Sequence, residues 1–254
     1  MVRTLMGADQ NHDWARETAS VLEWWHDAGV DVLVEDQPLP WLELAATMAA
    51  APAMPAAQPA APVAADTMPD TIAAFDAWRA GDTVPDAGWP GKAIVAAGPV
   101  EQPALMVLLD WPERGDSERL MEAIEGRLFE RMLVAIGFAR ETALVAAVCV
   151  RRPPGGRVAR DAEAALGAIA RHHVALVRPR RLLLMGDAAS RAILEMNASE
   201  ARGHLRPVYH KDQTITHAVA SWHPRNLLDR PALKAEAWKD LLMLDTARNG
   251  EMQS

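Results

Sequence analysis

Four strand-like runs constrain the fold of this chain more than any other feature: ALMVLL (104–109), ALVAAVCV (143–150), RRLLLMG (180–186) and the alternating TITHAVASW (214–222). A continuous apolar run puts greasy side chains on both faces of a strand, so both faces must be covered. Helical patterns stand between the runs. Leu120, Met121, Ile124, Leu128, Met132 and Ile136 recur at helical spacing in one continuous pattern, which Gly137 stops. A second helix is predicted over about 159–177 and a short third one around 188–196. The last helix is predicted from about 230 to 246, with Asp229 as N-cap and Pro231 in its first turn. Strand–helix repetition of this kind predicts an α/β fold, a three-layer α/β/α sandwich around a central, mainly parallel four-stranded sheet.

In such sheets ligands bind outside the carboxyl ends of the strands. That rule selects Asp110–Glu113, Arg151–Arg157, Gly186–Ala188 and Ser221–Asn226 as the wall of a site. The last segment holds SWHPRNLLDR (221–230), where His223 stands between Trp222 and Pro224 at the mouth of a strand. An imidazole placed there serves a catalytic or base-binding loop, or it caps a turn.

Ahead of this body the chain is different. Trp14, Thr18, Val21, Leu22 and Trp25 form an amphipathic helical stripe over 12–29. Residues 45–66 are rich in alanine and broken by Pro52, Pro55, Pro59 and Pro62, which favours an extended, semi-rigid linker. The expected organisation is an N-terminal helical element (1–44), an Ala/Pro-rich linker (45–69) and a body over 70–248. A single cysteine, Cys149, rules out an intramolecular disulfide and a cluster held by four thiolates of this chain. His172 and His173 read as surface residues near a helix end, with no further ligand at metal spacing. No metal and no cofactor is expected. No signal-peptide core opens the chain and no run is long enough to span a bilayer, so no membrane and a cytoplasmic location are expected. The net charge of −8 argues mildly against a surface shaped throughout for nucleic acid. The arginines, however, crowd into residues 151–181. Arg151, Arg152 and Arg157 lie on a loop at the predicted ligand edge, either as solvated loop charges or as a phosphate-facing patch.

RMLVAIGF (131–138), VRRPPGGR (150–157), VRPRRLLLMGDAASRAIL (177–194) and SWHPRNLLDRPALKAEAWKDLLML (221–244) together resemble the bacterial family-four uracil-DNA glycosylases. The opening VLEWWHDAGVDVLVEDQPLPWLE with its Ala/Pro linker fits the same resemblance. The family hydrolyses the N-glycosidic bond of a uracil flipped out of DNA. As the bond breaks the uracil becomes an anion, and a donor aimed at it stabilises the transition state. The resemblance gives that role to His223, with Pro224 stiffening the backbone behind it.

The resemblance breaks at three places around it. Where the family has a Gly-Glu-Ala-Pro-Gly type loop this chain reads Leu109, Asp110, Trp111, Pro112, Glu113, so both glycines are replaced. Met121 stands where the family's stacking Phe belongs, and Ala147 where an Asn would read the uracil edge. A buried amide of that kind rejects other pyrimidines by large factors, and Ala147 supplies none. The iron–sulfur cysteines are missing too, with Trp78 and Arg151 at two of their positions.

Candidate catalytic residues are therefore His223 and Asp110, the latter as a positioned carboxylate or as a helix cap. Trp111, Pro112, Met121 and Ala147 are the candidate base pocket. Arg151, Arg152, Arg157, Trp222, Arg225 and Asn226 are the candidate DNA-facing residues, DNA being the candidate partner, single-stranded or with a flipped base. The residues point to no particular oligomeric state. The favoured expectation is a divergent uracil-DNA-glycosylase-like protein with weakened or lost uracil excision, serving as a DNA-binding or interaction module. The alternative is an active glycosylase of altered base choice. A third reading is a protein-interaction role carried by the N-terminal helix.

Overall fold

The computed structural model describes Ala19, Ser20, Glu23 and residues 68–251, with side chains described as far as Leu244. Apart from those three helical residues and Met68 and Pro69, the expected N-terminal helix and the Ala/Pro linker lie outside the described residues. The chain forms two compact units, Met1–Ala56 and Ala57–Ser254, and the sheet and its helices belong to the second.

The elements of this second unit, in chain order, are α1 (Ile72–Ala80), β1 (Leu105–Leu109), α2 (Ile124–Ala135), β2 (Ala143–Ala147), α3 (Arg160–Val177), β3 (Arg181–Met185), α4 (Asp187–Leu194), α5 (Ala198–Ala201), β4 (Leu205–Tyr209), β5 (Ile215–Ser221), α6 (Pro224–Asp229) and α7 (Lys234–Glu251). The sheet order is β2-β1-β3-β5-β4. β1 pairs in parallel with β2 and β3, β3 pairs in parallel with β5, and β4 closes one edge antiparallel to β5.

Strand periodicity sorts the core into two halves. Met106, Leu108, Leu144, Leu182 and Leu184 face one way and pack with Leu166, Ala170 and Val174 of α3 and Ala189 and Ala192 of α4. Leu105, Val107, Leu109, Val145, Leu183 and Val219 face the other way, against Phe129 and Leu133 of α2 and Leu241 and Leu244 of α7. Each buried Leu contributes about 2 kcal/mol by removal from water, and β1 and β3 are buried at every position. This is the three-layer sandwich expected from the apolar runs.

Three expectations need correction. The sheet has five strands rather than four. β4 escapes the apolar-run criterion because it is a half-wet edge strand with alternating burial and Pro207 at its centre, a position tolerated only at an edge. The helix expected to begin at Leu120 begins at Ile124. Met121 precedes it with φ 58°, and Arg140 holds this turn by donating to the Leu120 and Met121 carbonyls. Gly126 permits that turn, since a Cβ there would collide with the Met121 carbonyl oxygen. Finally, Asp229 caps nothing: it ends α6, and a 3-10 turn, Pro231–Leu233, leads into α7.

Candidate active site at the strand ends

β1, β2, β3 and β5 all deliver their carboxyl ends to one edge of the sheet, and the polar residues gather there. β1 runs directly into Asp110. Its carboxylate accepts the Ala189 amide at 3.0 Å and also the Ala188 amide, both in the first turn of α4. Gly186 makes this approach possible: it has φ +114°, and a Cβ on it would collide with the carboxylate. Asp110 therefore serves as the cap of α4, the second of the two roles expected for it. Its other oxygen pairs with Arg225 Nη2. Burial pushes the Asp110 carboxyl above its ordinary range, while Arg225 and the two amides pull it down.

Arg225 lies in the first turn of α6 and bridges two carboxylates. Its Nη1 donates to Glu113 Oε1 at 2.5 Å, and its guanidinium lies 4.8 Å from the centre of the Trp111 ring. The second oxygen of Glu113 accepts from Arg152 Nη1 at 3.0 Å, and the same nitrogen reaches the Pro112 carbonyl. The loop beneath is fixed by Asp116, whose carboxylate accepts the amides of Glu113 and Glu122, each at 2.8 Å.

His223 is wholly buried at the centre of this group. Its Nδ1 accepts the Arg225 amide at 3.3 Å, capping α6, so the proton sits on Nε2. Burial, reinforced by the charges of Arg225 and Arg152, depresses its pKa well below that of free histidine, and the ring is neutral. Nε2 has no hydrogen-bond partner and stands 3.7 Å from Glu113 Oε1. Nδ1 thus caps a turn, the second of the uses expected for this histidine, and Nε2–H is left as an unused donor.

The structure brings Asp110, Trp111, Pro112, Arg152, His223 and Arg225 together and adds Glu113, which sequence reasoning placed in the site wall but assigned no role. Its signal was present, because Glu113 stands where the family pattern has its second glycine. Met121 and Leu109 are instead core residues on the α2 and α7 side, and Ala147 is half-buried against the same cluster. Trp222 is already engaged, donating Nε1–H to Glu236 at 3.1 Å with Arg202 5.1 Å from its ring centre. Arg151 is buried and turned inward, donating to the Ala80 carbonyl at 3.2 Å, so it does not stand on the open rim. Arg157 is exposed and Asn226 half-buried on α6. A cleft of about 850 Å³ opens beside the cluster, lined by Lys92, Glu113, Arg114, Arg152, Gly155 and Gly156 among others.

His173, expected at the surface, is buried 4.7 Å from the Phe75 ring. The residues do not fit an iron–sulfur cluster. The one cysteine is buried, and at the positions of two ligands the chain has Trp78 and the inward-turned Arg151. Among the described residues no group of three or more His, Cys, Asp or Glu is placed to hold a metal ion, and no helix is long and apolar enough to cross a membrane.

The Type-4 uracil-DNA glycosylase of Pyrobaculum aerophilum is 25% identical over 148 residues, which cover 55% of this chain and 75% of that one. The sequence profile of the Uracil DNA glycosylase superfamily matches residues 97–242, from just ahead of β1 into α7 and including every strand of the sheet and His223. With more than half its length matched in this way, the chain belongs to the Uracil DNA glycosylase superfamily.

Proposed function

We propose that this protein is a divergent member of its superfamily in which uracil excision is weakened or lost and the fold serves to bind DNA. One observation carries this reading. The buried Nε2–H of His223 faces the carboxylate of Glu113, which is held in place by Arg152 and Arg225. A donor that stabilises a leaving uracil anion must meet that anion, and removing one such donor costs about 10²–10³ in rate. Here a negatively charged side chain stands in front of it, where glycine would leave room. The partly exposed guanidiniums of Arg152 and Arg225, with Lys92, Arg114 and Arg157 nearby in the cleft and loop, supply the phosphate-binding face.

The alternative, an active glycosylase of altered base choice, draws support from the tautomer of His223, since its donor proton remains on the nitrogen that no other group uses. One assay separates the two readings. Purified protein is incubated with single-stranded DNA carrying uracil, hypoxanthine or xanthine, beside a His223→Ala variant, and DNA affinity is measured in parallel. The expected result is salt-sensitive DNA binding with no base release above the variant. Release that vanishes on His223→Ala would make the protein an enzyme and overturn the proposal.

A further inference from the structure

Three donors converge on a single side chain at the strand ends. Glu113 accepts from Arg225 at 2.5 Å and from Arg152 at 3.0 Å, and the unpartnered His223 Nε2 stands 3.7 Å away. Two guanidiniums and a neutral N–H around one carboxylate make the donor set of an oxyanion site. The exposures show which members face outward: the side chain of Arg152 is 30% exposed and that of Arg225 23%, against 7% for Glu113. Glu113 and Arg152 also line the 850 Å³ cleft, so an anion arriving through it meets the Arg152 guanidinium and the Glu113 carboxylate that joins it to Arg225.

We propose that this is a binding site for a phosphodiester group of DNA and that Glu113 is its internal occupant, competing with the phosphate for Arg152, Arg225 and His223. The proposal rests on the DNA-binding reading and adds how that binding is held in check. The arrangement suits an exchange of occupants. Arg225 keeps a second carboxylate, Asp110, which is anchored on the first turn of α4 and stays when Glu113 leaves. The Glu113 backbone is pinned through Asp116, so the exchange needs only side-chain rotation into the cleft beside it. A phosphate brings the same charge and more acceptor oxygens, one of them for the Nε2–H that Glu113 leaves unsatisfied. The occupied state lowers apparent affinity by the fraction of molecules in which Glu113 holds the site.

The test uses the full chain, as wild type, Glu113→Ala and Glu113→Gln. Each is titrated with a labelled, uracil-free single-stranded oligonucleotide and, separately, with inorganic phosphate. Binding is read by fluorescence anisotropy and by the shift in Tm. Glu113→Ala should bind the oligonucleotide about tenfold more tightly at low salt, with the log–log salt slope steeper by about 0.7 per phosphate newly engaged. Inorganic phosphate should raise the Tm of Glu113→Ala and leave the wild type unmoved, and adding Arg152→Gln to Glu113→Ala should cancel both gains. Glu113→Gln keeps the side-chain shape and carries the same expectation, in smaller measure, should the alanine variant fold poorly. A wild type that binds DNA while the folded Glu113→Gln binds equally or less well overturns the internal occupant and leaves the DNA reading standing. Phosphate uptake by Glu113→Ala, with no DNA bound by either protein, supports the occupant and overturns the DNA reading.

Discussion

Two ion-pair networks engage the chain that follows β2, and their contrast separates structure from function. The first joins α1 to the chain after β2. Arg79 donates to both oxygens of Asp86, at 2.5 and 3.1 Å, and to the Val148 carbonyl at 2.8 Å, while Asp86 also takes the amides of Val150 and Arg151. Its two side chains are 4% and 0% exposed. The second is the Asp110–Arg225–Glu113–Arg152 group. There the cations are partly open to solvent, a cleft adjoins them, and the buried His223 Nε2 lacks a partner. The Arg79–Asp86 pair is shut away from solvent, whereas the second group adjoins a cleft and an unused donor, an arrangement open to a ligand.

Breaking the closed network should produce the largest stability loss. Arg79→Met leaves the Asp86 carboxylate buried without its counter-charge, and removing one partner of a buried pair costs about 3–5 kcal/mol. Denaturant unfolding at neutral pH measures it, and a loss below about 1 kcal/mol would remove the contrast. Gly186→Ala should follow. It places a methyl against the Asp110 carboxylate at a backbone angle that alanine avoids, and a loss of about 2–4 kcal/mol is expected. Because Asp110 also holds Arg225, this variant should in addition change DNA affinity, whereas folded Arg79→Met should not.

How much of this was legible in the sequence depends on which force fixes each part. Three of the four parallel strands, β1, β2 and β3, were plain, because continuous apolar runs report burial on both faces directly. β4 was hidden, since an edge strand keeps polar positions and Pro207 resembles a strand breaker. The turn at Met121 was hidden too: its apolar side chain continues the helical period, and only the backbone, with φ 58°, departs from it. His223 stood out because an imidazole beside a proline at a strand mouth is unusual. The replaced glycine marked Glu113 as a departure, but its role did not show, as it depends on Arg152 and Arg225, 39 and 112 positions away in sequence. Arg79 and Asp86 carried no signal for a similar reason, since the burial that makes them a network is a tertiary fact.

Acid should expose a third, intermediate effect. His173 is buried beside Phe75 with Nε2 unpartnered, and burial first, then the charges of Arg79 and His172, lower its pKa to about 4. Its folded value lies below its unfolded value near 6.5. The stability it contributes is therefore complete above about pH 6.5 and drains away as pH falls towards 4. The gap corresponds to about 3 kcal/mol. His223 acts in the same direction. His173→Leu should match or exceed the wild type at pH 7 and lose less stability than it by pH 4.5, as read from chemical unfolding at both values. Parallel losses in the two proteins would assign the acid sensitivity elsewhere.

The smallest stability effect is expected where the functional reading is strongest. Arg152 is 30% exposed and shares Glu113 with Arg225, so Arg152→Gln removes a screened charge and leaves Glu113 still paired. The change in unfolding free energy should stay within about 1 kcal/mol. In the Glu113→Ala background, where the site is open to phosphate, the DNA readout should move in the opposite proportion, with Arg152→Gln weakening binding to single-stranded DNA of any sequence and making the salt slope shallower by about 0.7. A large stability loss with an unchanged salt slope would make the strand-end group a second structural network, equivalent to Arg79–Asp86. The expected pairing, near-native stability with one phosphate contact gone, would place the cost of keeping Arg152 on the binding side rather than the folding side.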